Sequence, residues 1–476
     1  MHFLVPWRIG CTVNSYKGAV DFLGILETIN RVLGGTLLPA TVLIGGLFFT
    51  VLLRFLPILH PIRCFKDMLT SVRASGGSPF KAVTLALAGT LGVGNIVGVA
   101  SALIAGGAGA VFWMILSGLL VMAVKYAEVV LAVEHRECEK VGEKTVYFGG
   151  APYYIRRGMS SVLGSRWAWL LGGGFAVLCI ANALITGTIL QVNAARQAVP
   201  SLPALSFALL FAALVLPVLS RGEDRIADVT AVTIPLFTLL YVGISLFILF
   251  KNIHLVPSVL GEILDSAFSA RAAAGGMLGF SVNAAMRYGI ARGLLSNEAG
   301  CGTAPTAHAS ADVASPHTQG LWGIFEVFVD TVLLCSLTAL VILTAFYRDL
   351  PMDSSALDLV VESFSSEAGR GAGVFIRVAI LFFAYSTVLC QYFYGIKSLA
   401  YITRSKWSRR VYGAAFFLII MTGAMIASDL MWQISDLIIS LLTLINMLCL
   451  LSMSGTVSVL SRDVTRRGEQ RVRRKR

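Results

Sequence analysis

The chain has 476 residues, of which 56% are apolar and only 13% are charged, and its formal net charge is +12. A soluble globular domain usually carries about 25% charged residues, so this composition excludes an ordinary soluble protein and requires lipid as the main solvent. The positive charge concentrates in loops and in the basic tail 461–476, which predicts contact with membrane lipid headgroups and excludes nucleic acid as a partner.

Apolar stretches of membrane-spanning length follow one another along the chain. Each is about 18 to 25 residues long, as needed to cross a ~30 Å hydrocarbon core as a helix. Residues 22–33 precede the first stretch as a short amphipathic lead-in. The sequence therefore predicts an all-α polytopic membrane protein of about 11 spans, with approximate bounds 36–57, 80–104, 109–133, 167–190, 203–220, 229–250, 273–311, 321–346, 374–395, 411–428 and 433–460.

Basic residues predict the orientation of these spans. The connections after the odd-numbered spans, together with the C-terminal tail, hold 25 of the 38 lysine and arginine residues. Because short cytoplasmic segments carry such an excess, we expect a multi-pass protein of the inner cell membrane with its N-terminus outside and its C-terminus in the cytoplasm. The connection 347–373, rich in aspartate and glutamate, fits the outer side.

Two spans contain sequences that an uninterrupted membrane helix avoids. The second contains TLGVGN at 90–95, and the seventh contains SNEAGCGTAP at 296–305. Glycine and proline weaken a helix, and the polar side chains beside them can bond the freed backbone groups or a ligand. Both spans are therefore predicted to be broken within the membrane.

The positions of these breaks indicate an inverted repeat. Span 2 opens a block of five spans and span 7 opens a second block of five. Because five is an odd number, the second block crosses the membrane in the opposite orientation to the first. Broken helices at corresponding positions of inverted repeats mark the binding site of a transporter, where helix N-termini favour a carboxylate and free carbonyls suit a hard cation. The predicted division is 1–79 (lead-in and first span), 80–251 (first repeat), 272–460 (second, inverted repeat) and 461–476 (basic cytoplasmic tail).

Plainer interpretations of the same residues stay open. Gly92, Gly94 and Gly98 can serve close helix packing. A dinucleotide-binding fingerprint is excluded, because no strand precedes these glycines. Intramembrane charges often pair with each other. The candidate pairs are Glu298 with Arg287 or Arg292, and Lys125 with Glu128, while Glu326 and Asp330 share one helix face and could line a cation path.

Long blocks of this sequence resemble the alanine/glycine:cation symporter family. They are GTLGVGNIVGVASALIAGGAGAVFWMILSGLLVMAVKYAEVVLAVEHR at 89–136 and RYGIARGLLSNEAGCGTAPTAHASA at 287–311, with weaker matches over nearly the whole chain. The resemblance implies a leucine-transporter-like fold, an inverted five-plus-five repeat with broken second and seventh helices. It also implies uptake of alanine or glycine coupled to Na⁺ or sometimes H⁺, without enzymatic chemistry.

The resemblance and the break positions together give candidate site residues. The expected substrate contacts are Thr90, Gly94, Asn95, Gln191, Leu295, Ser296, Asn297 and Gln391. The expected sodium site combines carbonyls near Gly92 with the hydroxyls of Ser386 and Thr387. Leu295 and Gln391 stand where relatives usually have phenylalanine and tryptophan, which predicts a roomier, more polar pocket for a substrate such as serine.

The predicted function is Na⁺-coupled symport of a small neutral amino acid by alternating access. One rival is a transporter of the same fold that carries a larger solute or uses H⁺. Another is a membrane sensor that binds an amino acid without moving it. An intramembrane hydrolase is disfavoured because the spans contain no G-x-S-x-G and no H-E-x-x-H motif.

Overall fold

The computed structural model describes residues 24–59, 61–74, 77–268, 282–313, 315–351, 353–426 and 428–461. In these ranges the regular structure is helical apart from one antiparallel hairpin of β1 (Glu137–Val141) and β2 (Lys144–Phe148). Seven of the described helices are long and apolar enough to cross a membrane, and two further apolar helices are shorter. The chain is an all-helical integral membrane protein.

The helices of the first half end before residues 269–281, which lie outside the described ranges, and a further single helical turn spans Leu56–Leu59. They are α1 (Gly24–Leu52), α2 (Pro61–Ala74), α3 (Ser78–Thr90), α4 (Val97–Gly106), α5 (Gly109–Glu134), α6 (Ala151–Leu163), α7 (Ser165–Ala198), α8 (Ala204–Ser220), α9 (Glu223–Lys251) and α10 (Val256–Phe268).

The helices of the second half begin after that stretch. They are α11 (Val282–Asn297), α12 (Pro305–His308), α13 (Pro316–Ala345), α14 (Ala356–Ala368), α15 (Arg370–Ile402), α16 (Lys406–Gly423) and α17 (Ser428–Ser452).

The predicted spans fall on these helices with shifted ends. The described part of the lead-in, 24–33, and the predicted first span as far as Leu52 belong to one helix, because the π-helical turn Leu33–Leu37 continues the helix instead of ending it. The predicted second span is two helices, α3 and α4. The seventh, 273–311, lies partly outside the described residues, and its described part is α11, an irregular segment and α12.

Helix α5 lies at the centre of the fold. In its most apolar window 78% of the residues are buried, compared with 28% in α9. Glycines let neighbouring helices approach closely, as Gly118 of α5 does against Thr331 of α13 and Gly289 of α11 does against the Ala110 carbonyl. We call α3, α4, α5, α11, α12 and α13 the inner bundle; α7, α9 and α15 flank it.

Candidate functional site

The first break lies between α3 and α4. The Gly92 N–H donates to Asn95 Oδ1 at 3.1 Å, and the Val93 N–H donates to Gln191 Oε1 of α7 at 3.0 Å. Side-chain oxygens thus replace the helical carbonyls, because an unpaired N–H inside a membrane protein is costly. The break presents backbone N–H groups toward α7.

The second break lies between α11 and α12. Its backbone takes left-handed φ angles at Glu298 (48°), Gly300 (90°) and Gly302 (74°), of which only the first is unusual for its residue type. The Gly302 N–H donates to Glu128 Oε1 at 2.8 Å, and Asn446 Nδ2 donates to the Gly300 carbonyl at 2.8 Å. Buried polar side chains therefore hold this irregular segment in one shape.

The two breaks touch at the buried centre of the inner bundle. A Cβ atom added to Gly94 would lie 3.1 Å from Ser296 Cα, closer than ordinary van der Waals contact. A side chain at position 94 would therefore push the second break away. Two segments about 200 residues apart in sequence are therefore in direct contact, the arrangement that the repeat hypothesis predicts.

Helix α15 brings Thr387 to the first break. Its Oγ1 lies 3.4 Å from the Leu91 carbonyl oxygen. A Cβ atom on Gly92 would lie 2.8 Å from both Thr387 Oγ1 and Gln191 Oε1, so these oxygens surround one small space. Carbonyl and hydroxyl oxygens are the ligands that hard cations prefer.

Gln391 lies one helical turn beyond Thr387 and is buried. Its Nε2 donates to Glu298 Oε1 at 3.0 Å, and its Oε1 has no hydrogen-bond partner among the described residues. The side chain fits because Gly187 of α7 has no Cβ; one built there would lie 2.2 Å from Gln391 Cγ. Glu298 also accepts from Thr303, so its carboxylate joins the second break to α15.

Asn95 and Ser296 both direct their side chains to Asp330 of α13. Ser296 Oγ lies 2.9 and 2.8 Å from the two carboxylate oxygens, and Asn95 Nδ2 donates to Oδ1 as well as to the Asp330 carbonyl at 3.1 Å. Asp330 is fully buried within the π-helical stretch Phe328–Cys335. From the sequence, Asp330 shares one helix face with Glu326, where both could line a cation path, but the contacts of Asp330 with the two breaks are not predicted. The missed signal is a carboxylate in an apolar span next to two broken helices.

A second buried network joins α5, α12 and α13. Lys125 Nζ lies 3.3 Å from Glu326 Oε1 and donates to the Asn297 carbonyl at 2.9 Å, while His308 Nε2 lies 2.8 Å from Glu326 Oε2. The predicted pair of Lys125 with Glu128 is therefore wrong, because Glu128 turns to Gly302 and Asn446 instead. The network fixes the helices of the inner bundle to one another.

The remaining predicted residues lie around the two breaks with other partners. The Thr90 hydroxyl bonds back to carbonyls of its own helix, and Leu295 is half-buried. Asn297 Nδ2 donates to Thr331 Oγ1 at 2.9 Å, and Ser386 Oγ lies 3.3 Å from Thr233 Oγ1 of α9.

The proposed pairing of Glu298 with an arginine of α11 is not formed with Arg292. Instead Arg292 Nη1 lies 2.8 Å from Asp436 Oδ1 of α17. Glu298 has Thr303 and Gln391 as its polar partners. Its carboxylate therefore faces the region between the second break and α15, not an ion pair within its own helix.

Comparison with known proteins gives a consistent result. A family model described as the sodium:alanine symporter family matches residues 21–475. An uncharacterized transporter of Haemophilus influenzae is 35% identical over 453 residues, covering 93% of this chain and 96% of the relative. The sodium/alanine symporter AgcS of Methanococcus maripaludis is 33% identical, covering 92% and 96%. The probable sodium/glutamine symporter GlnT of Bacillus subtilis is 32% identical, covering 93% and 90%.

Proposed function

The chain belongs to the sodium:alanine symporter family, and we propose that it couples the inward movement of Na⁺ to uptake of a small neutral amino acid by alternating access. The family is one of transporters, so the protein is not an enzyme. The single observation that carries the finer proposal is the meeting of two broken helices at Gly94 and Ser296 inside the membrane fold.

The substrate carboxylate binds the N–H groups of the first break. The Val93 N–H is now satisfied by Gln191 Oε1, an oxygen acceptor from a neighbouring helix. A carboxylate oxygen offers the same acceptor with a full negative charge and would displace it, since charge-assisted hydrogen bonds are the stronger ones. The freed Gln191 then donates from Nε2 to the substrate, which leaves its Oε1 beside Gly92. Around the substrate lie Thr90, Gly94, Asn95, Leu295, Ser296 and Asn297.

Sodium occupies the space between the first break and α15. The Leu91 carbonyl, Thr387 Oγ1 and Gln191 Oε1 converge beside Gly92, where there is no side chain to fill the gap. Ser386 contributes only after its hydroxyl turns away from Thr233. Because these oxygens come from the inner bundle and from the flanking helices, a bound cation holds the two parts together.

Alternating access follows from an inverted five-plus-five repeat. The order of elements supports this repeat, because a short helix (α2 or α10) precedes each broken helix. A second short helix then lies between the next two long helices, α6 between α5 and α7, and α14 between α13 and α15. The inner bundle rocks against α7, α9 and α15, with the N-terminus outside. A crevice lined by Asn30, Arg287 and Asp436 then opens on the outer side.

The substrate range extends past alanine to polar neutral amino acids such as serine. Gln391 has an unpartnered Oε1 that can accept from a substrate hydroxyl or amide, at a position where relatives of the family usually have tryptophan. The relative described as a probable sodium/glutamine symporter makes a larger polar substrate the second candidate. Another relative, described as a putative sodium/proton-dependent alanine carrier, keeps H⁺ as a possible coupling ion.

Uptake by purified protein in proteoliposomes tests this function. Radiolabelled glycine, alanine, serine and glutamine are presented with an inward Na⁺ gradient, and again with the same salt on both sides. We expect accumulation of at least one of them only under the gradient. Saturable binding without accumulation would instead identify a sensor, and gradient-independent accumulation would exclude Na⁺ coupling.

A further inference from the structure

A crevice lies where the first turns of α11 meet α1 and α17. Its polar lining consists of Asn30 of α1, Arg287 and Tyr288 of α11, and Asp436 and Ser440 of α17. The substrate and sodium contacts proposed above use none of these five side chains. The crevice is therefore a candidate for a separate binding site.

Gly34 and Gly35 leave space beside these polar groups. Both belong to the π-helical turn of α1. A Cβ atom on Gly34 would lie 3.5 Å from Ser440 Oγ, and one on Gly35 would lie 3.5 Å from Arg287 Nε. A side chain larger than alanine at either position would therefore enter the space between α1 and its neighbours.

Arg287 has no carboxylate partner in the described part of the chain. Its guanidinium carbon lies 5.4 Å from the centre of the Tyr288 ring. Asp436 is held instead by Arg292, whose Nη1 and Nη2 lie 2.8 and 3.4 Å from the two carboxylate oxygens. Because a guanidinium presents a planar fork of donors that matches a carboxylate, Arg287 can bind a carboxylate supplied by a ligand.

Asn30 supplies an unsatisfied acceptor in the same crevice. Its side chain is buried, and its Nδ2 donates to the Gln433 carbonyl at 2.8 Å. Its Oδ1 has no hydrogen-bond partner among the described residues. Because a buried acceptor without a partner is costly, an ammonium group of a ligand would stabilise it. The crevice thus offers a partner for each end of a zwitterion.

The charges around the crevice favour a ligand that carries a carboxylate. Arg287 and Arg292 bring two positive charges to the crevice and its border, and Asp436 brings one negative charge. A simple anion would satisfy Arg287 but leave Asn30 Oδ1 without a donor. A simple cation would meet the excess of arginine. An α-amino acid satisfies both groups, since its charges are complementary to theirs.

Helix α11 connects the crevice to the breaks. Arg287 lies about 13 Å from Ser296 along the helix axis, at a rise of roughly 1.5 Å per residue. Arg292 lies between them, one turn before Ser296, with its guanidinium against Asp436 and 4.6 Å from the centre of the Trp432 ring. The Arg292–Asp436 pair therefore separates a ligand in the crevice from the breaks.

We propose that this crevice is an entry site for the amino-acid substrate, which binds there before it reaches the breaks. The inference rests on the proposed symport function. The substrate carboxylate binds Arg287, and the ammonium group donates to Asn30 Oδ1. Binding does not require Na⁺, because the proposed sodium ligands beside Gly92 and Thr387 are not part of the crevice. Opening of the Arg292–Asp436 pair then lets the substrate pass.

Protection of an introduced cysteine tests the site directly. Ala291 lines the crevice, so Ala291→Cys, in a protein whose native cysteines are replaced by serine, is modified with N-ethylmaleimide in choline chloride without Na⁺. Alanine at about ten times its dissociation constant should slow the modification about 10-fold, since occupancy lowers the free fraction by that factor. Alaninamide keeps the ammonium group but lacks the carboxylate, and it should not protect. Exchange of chloride for gluconate should change nothing.

Variants of Arg287 connect this binding to transport. Arg287→Gln removes the charge and should abolish the protection. In proteoliposomes it should raise the alanine concentration for half-maximal uptake roughly 10-fold, while the saturating rate and the Na⁺ dependence stay at wild-type levels. Arg287→Lys keeps the charge without the fork and should recover part of both effects.

Two further variants make the result decisive. Arg377→Gln makes the same chemical change at an arginine that lies 3.6 Å from Asp358, and it should leave protection and uptake unchanged. If Arg287→Gln is not monodisperse, Asn30→Ala removes the unsatisfied acceptor and should weaken protection by alanine in the same assay.

Protection that requires Na⁺ would place the alanine at the breaks and overturn the entry site. Equal protection by chloride or alaninamide, or unchanged protection in Arg287→Gln, would overturn it as well. If the wild type shows no Na⁺-driven uptake but alanine still protects without Na⁺, the symport proposal fails while the crevice remains a binding site. The two failures are therefore distinguishable.

Discussion

At the scale of single residues, Gln391 is the side chain that we propose to select the substrate. It is buried, donates to Glu298 and leaves its Oε1 unpartnered beside Gly187. A polar substrate can supply the missing donor, because a buried acceptor without a partner costs about 1–3 kcal/mol. Alanine has no side-chain donor to offer.

Replacing Gln391 by tryptophan should narrow the substrate range. The indole fills the space beside Gly187 and removes the free acceptor, so we expect uptake of serine to fall at least ~10-fold relative to alanine, or about 1.4 kcal/mol. The measurement is competition of each amino acid against labelled alanine. Gln391→Leu separates the two effects, since it loses the acceptor without adding bulk. An unchanged selectivity profile in both variants would show that another residue selects the substrate.

Thr387 should control the sodium requirement. Its Oγ1 faces the Leu91 carbonyl and Gly92 rather than its own helix alone, as a hydroxyl in a cation site must. We expect Thr387→Ala to raise the Na⁺ concentration for half-maximal uptake at least ~10-fold. The matched control is Thr344→Ala, because Thr344 is buried and only bonds back to carbonyls of α13. Equal Na⁺ dependence in the two variants would move the sodium site elsewhere.

These residues show what a sequence can and cannot predict about a membrane site. Thr387 and Gln391 are four apart on one helix, so spacing alone predicts that they share a face. Asn95 and Ser296 were predicted as substrate contacts because polar residues beside a break usually face a ligand. The structure shows both side chains bonded to Asp330, a contact that the sequence does not predict. Side-chain direction in an irregular segment depends on the tertiary neighbour, and no periodicity encodes it.

At the scale of elements, the β1–β2 hairpin connects the inner bundle to the flanking helices. Arg136, at the start of the hairpin, donates to the carbonyls of Ala309, Ala311 and Val313 after α12. On the other side Arg404, which follows α15, lies 2.8 Å from Glu137 and 3.0 Å from Glu139. These contacts close one end of the protein. The proposed rocking of the inner bundle requires that these hydrogen bonds and ion pairs break.

The Arg404→Gln variant should favour the open state at that end. Each exposed ion pair contributes roughly 0–1 kcal/mol, so the loss of two should shift the equilibrium by about fivefold. The readout is the rate at which a thiol reagent modifies a cysteine introduced at Ser310, in a protein whose native cysteines are replaced. Arg410→Gln alters a nearby exposed arginine and should leave the rate unchanged. A rate that is also unchanged in Arg404→Gln would exclude the hairpin as a gate.

The same contacts should resist moderate acid. Burial alone would raise the pKa of Glu137, but its hydrogen bonds and charge interactions with Arg156 and Arg404 hold the pKa below the usual range. A depressed pKa means that the stabilisation is present above the ordinary value and is lost as pH falls through the folded-state value. The modification rate of a cysteine at position 310, divided by the rate of a fully exposed cysteine at the same pH, should therefore stay low until the pH drops below the normal range for glutamate.

At the scale of the whole molecule, the sequence predicted the class of protein and the family, and both are confirmed by the family model and the named relatives. Hydropathy predicts the class because a membrane helix needs little more than length and apolar composition, whereas the family follows from the blocks at 89–136 and 287–311. Hydropathy could not resolve α1, where the lead-in and the span are one helix, since a π-helical turn leaves no compositional signal. Orientation and repeat symmetry stay predictions.

Labelling from one side of the membrane tests the orientation. Glu362 of α14 and Arg409 of α16 are both exposed, and the predicted topology puts them on opposite sides. In the cysteine-free background we expect a cysteine at position 362, but not one at 409, to react with an impermeant reagent applied to intact cells. The reverse pattern would invert the topology, and equal reactivity of both would contradict a single membrane crossing by α15 between positions 362 and 409.

The buried carboxylates of the inner bundle, Glu128, Glu298, Glu326 and Asp330, also connect the proposed transport cycle to the membrane potential. A carrier that returned with one of them ionised and its coupling cation released would move negative charge outward through the membrane field. Moving one elementary charge across the whole membrane is worth about 2.3 kcal/mol per 100 mV. An inside-negative potential therefore accelerates the return of the empty carrier, so an energised cell would speed turnover even when the Na⁺ concentrations on the two sides are equal.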